Sequence, residues 1–581
     1  MGEMFNKKFI IAALLAFLIV IGWDYFFLKD IREAEAVVVA KNAKVSSLIS
    51  QNGTSSFVSG NQTSSSKLSS FPRIDISNSS ISGSFSLQAG RIDDISLLHY
   101  KETLDKDSQN IHMFNKKGTY RAYFFESGWL SSSNIDLPDG ETLWSLEKSS
   151  ATSLTPKTPV NLFWKNSQGI TFKKTISIDD SYMISIKDVV INNSGNDLTI
   201  NPFSLIVRHG DPMVEDMFIS HEGYVGYVGK SLERLDYKDV LKENYDFNTT
   251  GGYVGFTDKY WLAAIVIDKD ESALARYISY KDSQKIDNFQ VDAMGTDIKL
   301  ANGEQVESIS RVFVGPKEYK TLNQYDNMYN IGKFNDTIDF GWFFFFTKPM
   351  IQFLLFIQSI IGNFGFSILV FTVIIRAVIL PIAYKSYVSM AKMKELQPKM
   401  KELKELYKGD MQKYNKEIAN LYKKEKVNPL SGCLPLLLQI PIFFSIYKVI
   451  FISIEMRQAP FIGWVQDMSV MDPSNLFTLF GLIPITLPVF LHIGAWPIFM
   501  GVTMFFQQKL SNTQSLEPMQ QKIMNMMPFV LVIVLGSFPV GLVIYWTWSN
   551  IISIIQQLII NKKVHNEFGL KNLRKKKVQA K

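Results

Sequence analysis

Residues 365–384 are GFSILVFTVIIRAVILPIAY, an apolar run in which Arg376 is the only charged residue. An α-helix rises about 1.5 Å per residue and the hydrocarbon core of a bilayer is about 30 Å thick, so a run of this length predicts a membrane-crossing helix. The averages conceal this, because 46% of the 581 residues are hydrophobic and 20% are charged, as in an ordinary soluble protein. The run therefore predicts an integral membrane protein where the overall composition does not.

Arg376 is an unusual residue for the middle of a membrane helix. It precedes Lys385 by nine residues, or about 13 Å of helix, too far for its side chain to reach the cytoplasmic interface. Insertion scales give an arginine at mid-membrane a cost of about 2.5–3.5 kcal/mol, so such a residue faces protein or water. The C-terminal apolar runs contain no mid-depth acidic residue to pair with it. One alternative is an arginine satisfied by backbone carbonyls. We predict instead a water-filled cavity lined by polar residues, among them Thr372, Gln439, Thr503, Ser549 and Asn550.

Five further apolar runs predict additional crossings. Residues 9–28 follow Lys7 and Lys8 and have the length of an uncleaved signal anchor. The other four lie at 434–454, 493–506, 527–539 and 540–560, the last two joined by a tight turn. Together with 365–383 they give six predicted transmembrane helices. Between two of them, the proline-containing residues 475–496 predict a loop that dips into the membrane.

The segment 340–362 is also apolar, but its pattern differs from that of a span. It begins with a cluster of aromatic residues, contains Pro349 and then carries scattered glutamines. Aromatic belts lie at membrane interfaces, so we predict an amphipathic helix on the outer membrane surface. A single tilted span over 350–383 is the alternative, and Gly362-Asn363 argues against it as a break.

Charge predicts the orientation, because short loops rich in lysine and arginine stay in the cytoplasm. The N-terminal tip (1–8), the loop 385–430, the loop 509–525 and the tail 562–581 together carry +15, whereas residues 24–347 carry −9, within a net charge of +7. Both termini are therefore predicted to be cytoplasmic. The long segment that follows the first span is predicted to lie outside.

That outer segment divides into a linker and a domain. Residues 29–70 are rich in serine and asparagine, which predicts a flexible linker. Residues 71–335 alternate β-branched runs, such as TFKKTISI at 171–178 and YMISIKDVVI at 182–191, with Asn/Gly/Asp turns. This pattern predicts an antiparallel β-sandwich. Carboxylates such as Asp179 would suit a sugar-processing site, but the segment has no phosphate loop or nucleophile elbow, which favours an ordinary acidic surface.

Residues 385–430 predict a cytoplasmic helical hairpin. Apolar residues recur every three or four positions from Met393 to Tyr407 and again from Met411 to Leu421, with Gly409-Asp410 between the two arms. The hairpin has 12 basic residues and the tail 562–581 has eight. These predict contact with anionic lipid or RNA. The alternative is that these basic residues only keep the two segments on the cytoplasmic side of the membrane.

Several chemistries have no support in the sequence. Cys433 is the only cysteine and the six histidines are scattered, so neither an intrachain disulfide nor a metal site is predicted. The chain has no P-loop, and thus no predicted use of ATP. We expect no cofactor and no catalytic residue.

Four strings resemble the YidC/Oxa/Alb family of membrane protein insertases: MAKMKELQPKM (390–400), EKVNPLSGCLPLLLQIPIFF (425–444), MGVTMFFQQKL (500–510) and FPVGLVIYWTWSNIISIIQQ (538–557). The resemblance covers about 340–561, and the layout of anchor and outer domain is similar to the Gram-negative form. It implies a five-helix insertase core at 363–561 that includes the hairpin. It also implies location in the bacterial inner membrane and a periplasmic, galactose-mutarotase-like β-supersandwich at 71–335 without known enzymatic activity.

The resemblance further implies a hydrophilic groove that opens to cytosol and lipid, is closed outside, and has Arg376 at its base. Trp546 stands where the family often has a second tyrosine. Asn550 is one of the polar residues predicted to line the groove. The positions implied to contact substrate are Thr372, Gln439, Ile440, Phe443, Tyr545 and Trp546.

The implied function is insertion and folding of new membrane proteins, alone or with the Sec translocon. The implied partners are nascent chains, Sec components, ribosomes bound through the hairpin and tail, and lipids, with no small-molecule substrate. Two other functions stay open: a transporter or channel in which Arg376 binds an anionic solute, and an anchored sugar enzyme. The chain shows no internal repeat, which counts against a transporter.

Overall fold

The computed structural model describes residues 71–210, 212, 220–425, 427, 434–478, 483, 493–510 and 518–579. The predicted N-terminal tip, signal anchor and linker (1–70) lie outside these residues, as does most of the predicted dipping loop 475–496. The described chain consists of a β-rich domain followed by a helical region.

The β-rich domain begins close to the predicted boundary at residue 71. All strand pairings described are antiparallel except that of β1 with β7. The long strand β15 pairs with β14, β16 and β18. In chain order the strands are β1 (Arg73–Ser77), β2 (Ile81–Ser86), β3 (Ile92–Lys101), β4 (Asn110–Phe114), β5 (Tyr123–Ser131), β6 (Ser145–Leu146), β7 (Ser153–Leu154), β8 (Val160–Lys165), β9 (Ile170–Ile178), β10 (Met183–Asn192), β11 (Leu198–His209), β12 (Gly223–Val228), β13 (Ser231–Leu235), β14 (Tyr245–Thr257), β15 (Trp261–Lys281), β16 (Asp287–Gly295), β17 (Ile298–Leu300) and β18 (Gln305–Pro316).

Strands β9 and β10 show how the sequence pattern builds the core of this domain. Successive side chains of a strand point to opposite faces, and alternate residues of both strands are buried. Lys174 and Asp188 stand opposite each other on the buried face, with Lys174 Nζ 2.7 Å from Asp188 Oδ1. Lys174 also donates to the carbonyl and the hydroxyl of Ser127, at 3.0 and 2.8 Å. The buried charge is therefore completely hydrogen-bonded.

The helical region follows a short helix that is fastened to the β domain. Tyr325 of this helix, α2, donates its hydroxyl to Asp179 at 2.6 Å and accepts the backbone N–H of Tyr182 at 3.0 Å. A 3-10 turn at Phe334–Thr337 then leads to the apolar helices. The described helices are α1 (Tyr237–Val240), α2 (Tyr319–Tyr329), α3 (Phe344–Ile361), α4 (Phe364–Leu406), α5 (Met411–Lys424), α6 (Leu434–Ile452), α7 (Ala495–Leu510), α8 (Pro518–Leu535) and α9 (Val540–Gln579).

Three of these helices contain segments long and apolar enough to cross a membrane, namely Phe344–Ile361, Phe364–Met393 and Val540–Lys563. Shorter apolar helices occupy Gln439–Ile452 and Asn525–Leu535. The first of the three is the segment predicted to lie on the membrane surface, and by length and composition alone it qualifies as a span. The six crossings and their orientation therefore stay predictions.

The helix break predicted at Gly362-Asn363 is present. α3 ends at Ile361, and Gly362 has a φ of 78°, a left-handed conformation that suits glycine. Asn363 then caps α4, its side chain accepting the N–H of Phe366 at 3.1 Å. α3 packs against α4 and α6 with one face, which includes Ile351 and Leu354. The two helices are therefore separate elements.

The residues of the predicted hairpin form two helical arms. The first arm is the continuation of α4, which runs for 43 residues from Phe364 to Leu406 without a turn at the predicted membrane boundary. Asp410 caps the second arm, α5, by accepting the N–H of Lys413 at 3.0 Å. The basic tail likewise continues α9 as far as Gln579. Residues 382–397 and 555–568, which include these junctions, contain no glycine or proline, so no helix-breaking residue stops the helices there.

Candidate functional site

Helix α4 places Arg376 against α9. The Arg376 Nε donates to Ser549 Oγ at 3.0 Å, and Nη2 donates to the same hydroxyl. Ser549 is only 1% exposed. Within the described part of the chain, Arg376 takes part in none of the ion pairs with Asp or Glu. A side-chain hydroxyl of the facing helix therefore orients the guanidinium and leaves its charge unneutralised.

A second polar contact joins α6 to α9. Gln439 Nε2 donates to the Tyr545 hydroxyl at 3.0 Å, and Tyr545 is buried. Tyr545 lies one helical turn before Ser549 on α9, so the two contacts lie on one face of that helix. We call Arg376, Ser549, Gln439 and Tyr545 the polar strip.

Aromatic and amide contacts flank the polar strip. The ring of Phe443, one turn after Gln439, meets the Trp546 indole edge to face, with the centroids 4.7 Å apart. Asn550 is buried, and its Nδ2 donates to Thr503 Oγ1 of α7 at 3.2 Å. These two contacts between predicted groove residues thus join α6 and α7 to α9.

Two predicted groove residues make no comparable contact. The hydroxyl of Thr372 is buried and donates to Ile368 O of its own helix at 2.6 Å, so it stabilises α4 locally. Ile440 is 42% exposed on α6. Ser549, in contrast, was predicted only as one of several lining residues. Its role as the arginine's partner depends on how α4 packs on α9, and no local sequence signal specifies that.

The chain segment that follows α6 contacts the N-terminal end of α9, the helix that carries Tyr545 and Ser549. The backbone carbonyls of Val470 and Met468 accept the N–H groups of Val540 and Gly541 at 2.7 and 3.1 Å. These are among the first N–H groups of α9, which have no partner within the helix. The segment therefore caps the N-terminal end of α9.

Asp472 caps a second helix from the same segment. Its carboxylate accepts the N–H of Trp496 at 2.8 Å and the indole N–H of Trp464 at 2.9 Å, while Ser474 Oγ accepts the N–H of Ala495 at 2.9 Å. The backbone N–H groups of Trp496 and Ala495 belong to the first turn of α7. A carboxylate at a helix N-terminus also interacts favourably with the helix dipole.

We expect Asp472→Ala to lower the free energy of unfolding by about 1–2 kcal/mol, the usual cost of losing a helix cap. The measurement is thermal unfolding of the full chain in detergent. Gln466→Ala removes an exposed hydrogen bond of the same segment, from Gln466 Nε2 to Gly463 O, and should shift stability by less than about 0.5 kcal/mol. Equal effects of the two substitutions would contradict a capping role for Asp472.

Comparison with known proteins gives matches over nearly the whole chain. The family model for the YidC periplasmic domain matches residues 73–353, and that for the 60Kd inner membrane protein matches residues 356–567. The membrane protein insertase YidC of Bradyrhizobium diazoefficiens is 40% identical over 597 residues, with 96% of each chain covered. The protein of the same name from Rickettsia bellii is 41% identical over 558 residues, covering 95% of this chain and 98% of its own.

A solved structure of an active YidC insertase with its first transmembrane domain resolved is also similar. It is 16% identical and covers 84% of this chain and 92% of its own, with a TM-score of 0.36. The relationship of the chain to these proteins is shown by the sequence matches.

Proposed function

This chain belongs to the YidC family of membrane protein insertases, and we propose that it inserts newly made membrane proteins into the bilayer along the polar strip. The observation that carries the proposal is the position of Arg376, held by Ser549 in the middle of an apolar helix. We assign the protein no chemical reaction, because moving a chain into lipid forms and breaks no covalent bond.

The physical role of the strip follows from what opposes insertion. A polar segment that enters hydrocarbon loses its hydration, at a cost of several kcal/mol for each unsatisfied group. A hydrated groove between α4, α6 and α9 would reduce that cost. The positive charge of Arg376 would favour segments that carry Asp or Glu. Hydrophobic burial of the client's own apolar helix in lipid would then drive the process without ATP.

We propose the topology given by the charge distribution: six crossings, both termini in the cytoplasm, and the β domain in the periplasm of a Gram-negative cell. Its support is the +15 carried by the predicted cytoplasmic segments against −9 on the predicted outer segment. In this topology α3 lies on the outer membrane surface. One of its faces packs on α4 and α6, while Phe344, Phe356 and Ile360 are exposed.

The proposed partners are client chains, ribosomes, Sec components and lipids. The hairpin and tail support ribosome or lipid contact. α5 has no buried residue, and α9 continues well past the apolar segment with basic residues such as Lys571 and Arg574. Phosphate contacts by lysine and arginine of this kind position a ligand but carry no sequence information. Sec association rests on the family resemblance alone.

The test is insertion into liposomes that contain only the purified full chain. A single-span client with a short acidic outer segment is released from the ribosome and added after ATP has been removed. We expect the acidic segment to become protected from protease in these vesicles and to stay accessible in empty ones. Equal protection in both would exclude insertase function. Release of a trapped anionic solute without any client would instead indicate a channel.

A further inference from the structure

The β domain contacts the outer end of α6, the helix that contributes Gln439 and Phe443 to the site. The contacts involve two strands or turns of the domain, the segment that connects the domain to α3, and two consecutive turns of the helix. We call these residues the α6 clamp: Arg234, Lys259 and Tyr260 in the domain, Asp339 in the connecting segment, and Lys448 and Phe451 on α6.

An ion pair forms the first half of the clamp. Lys448 Nζ lies 2.8 Å from Asp339 Oδ2, and the other carboxylate oxygen lies 3.5 Å from Arg234 Nη1. Asp339 also accepts the N–H groups of His221 and Gly341, at 3.2 and 3.1 Å. Burial alone would raise the pKa of Asp339, but Lys448 and Arg234 outweigh it and lower the pKa to about 2. The carboxylate is therefore ionised at neutral pH.

The turn between β14 and β15 forms the second half. Lys259 Nζ lies 4.0 Å from the centroid of the Phe451 ring, a cation–π contact. The Tyr260 hydroxyl donates to the Phe451 carbonyl at 3.4 Å. This carbonyl belongs to the last turn of α6, where helix carbonyls lack partners within the helix. The turn therefore holds both the side chain and the backbone of Phe451.

Further contacts continue beyond the end of α6. The backbone N–H of Tyr319 donates to Glu455 Oε1 at 3.1 Å. Arg457 donates to the carbonyls of Lys101 and Glu102 at 2.6 and 3.1 Å. These bonds join the start of α2 and the end of β3 to the segment that caps α9. The outer end of α6 is thus fixed on more than one side.

A column of rings connects the clamp to the polar strip. Phe443, Tyr447 and Phe451 are spaced by four residues and lie along one side of α6. Their ring centroids are 6.4 Å apart for the first pair and 5.9 Å for the second. Phe443 then meets Trp546 of α9. A rotation of α6 at Phe451 would therefore move Phe443 relative to α9.

Among the described helices, α3 is the main neighbour of α6. α6 packs chiefly on α3 and touches α4 and α9 less. We propose that the β domain positions α6, with the clamp setting the rotation and height that bring Gln439 and Phe443 against Tyr545 and Trp546. Lys448, Asp339 and Lys259 are thereby assigned as positioning residues. The inference deepens the insertase function, on which it rests, by giving the outer domain a part in shaping the groove.

The test measures the geometry between α6 and α9 in the full chain. Cys433→Ser removes the only cysteine, and Phe443→Cys with Trp546→Cys provides a pair that a short bifunctional maleimide can link. We expect Lys448→Met and Asp339→Asn each to slow crosslinking by about twofold to thirtyfold, the range found for mutations that modulate coupling. Lys448→Arg should restore the rate, because it keeps the charge.

Lys242→Met is the matched control, since it removes an exposed lysine that pairs with Asp239 on the same domain. It should leave the crosslinking rate unchanged. An unchanged rate in both Lys448→Met and Asp339→Asn would overturn the proposal. Should those two variants fail to accumulate, Lys259→Ser removes the cation–π contact with Phe451 and leaves the ion pair intact, and an unchanged rate in that variant would overturn the proposal equally.

Crosslinking needs no client, so it separates this proposal from the insertase function. Wild-type chain that crosslinks normally but fails to insert any client would disprove the function and leave the geometry intact. Normal insertion combined with crosslinking that is insensitive to the clamp would disprove only the positioning.

Discussion

Arg376→Ala is expected to reduce insertion of a client with an acidic outer segment by more than about tenfold. Two unit charges about 10 Å apart at an effective dielectric constant of about 20 attract by about 1.7 kcal/mol, which corresponds to slightly more than tenfold in rate. The charge is fully effective because no described carboxylate pairs with Arg376. The measurement is the initial rate at which the acidic segment becomes protected from protease in liposomes.

The matched control is a change in the client. The same client with its Asp and Glu residues replaced by Asn and Gln should insert at similar rates with wild-type protein and with Arg376→Ala. Arg376→Lys keeps the charge but cannot donate from two nitrogens to the Ser549 hydroxyl as the guanidinium does, so an intermediate rate is expected. Undiminished insertion of the acidic client by Arg376→Ala would refute the electrostatic role of the arginine. It would not refute insertase function.

Asp188→Ala is expected to destabilise the β domain by about 3–5 kcal/mol, because it leaves the Lys174 ammonium buried without a charged partner. Lys174 and Asp188 are 1% and 4% exposed. For a domain of this size, that free energy corresponds to a fall in Tm of roughly 6–20 °C. Tryptophan fluorescence reports the transition directly, since Trp144 lies 5.5 Å from Lys174 Nζ.

The neighbouring residue on β10 supplies the control. Lys187 points to the opposite face and pairs with Glu307, and these side chains are 46% and 56% exposed. Glu307→Ala should therefore cost no more than about 1 kcal/mol. Replacing both buried partners, by Lys174→Met with Asp188→Leu, should recover much of the loss. If Asp188→Ala and Glu307→Ala lowered Tm equally, burial would not be the cause.

The sequence was sufficient to predict those helices and strands that depend only on nearby residues. The apolar run 434–454 corresponds to α6 at Leu434–Ile452, and the run starting at 540 corresponds to the start of α9. TFKKTISI forms a strand, and its alternation requires one of two adjacent lysines to face inward. These features depend on residues close together in the chain, and therefore on hydrophobic periodicity and length alone.

The sequence was insufficient where a partner had to be chosen. Arg376 and Ser549 are 173 residues apart, and several other polar residues were equally available to the arginine. Lys174 required the register of β9 against β10 to identify Asp188. Lys448 contacts Asp339, which lies 109 residues away in the segment between the β domain and α3, and neither residue lies in a motif. Tertiary packing, which a single sequence does not specify locally, decides each of these pairings.

In α4, one helix contains both Arg376 and the first arm of the hairpin. In the proposed function, a ribosome or client that pulls on the hairpin would therefore pull on the helix that holds Arg376. A proline has no N–H to donate within a helix, so bending is easiest at Pro381 and Pro398. Both lie between Arg376 and the hairpin tip. The tip can therefore swing about two hinges while the turn that holds Arg376 stays bonded to Ser549. In the proposed function, capture of a client by the hairpin and retention of the fixed charge in the membrane would thus be mechanically independent, although one helix serves both.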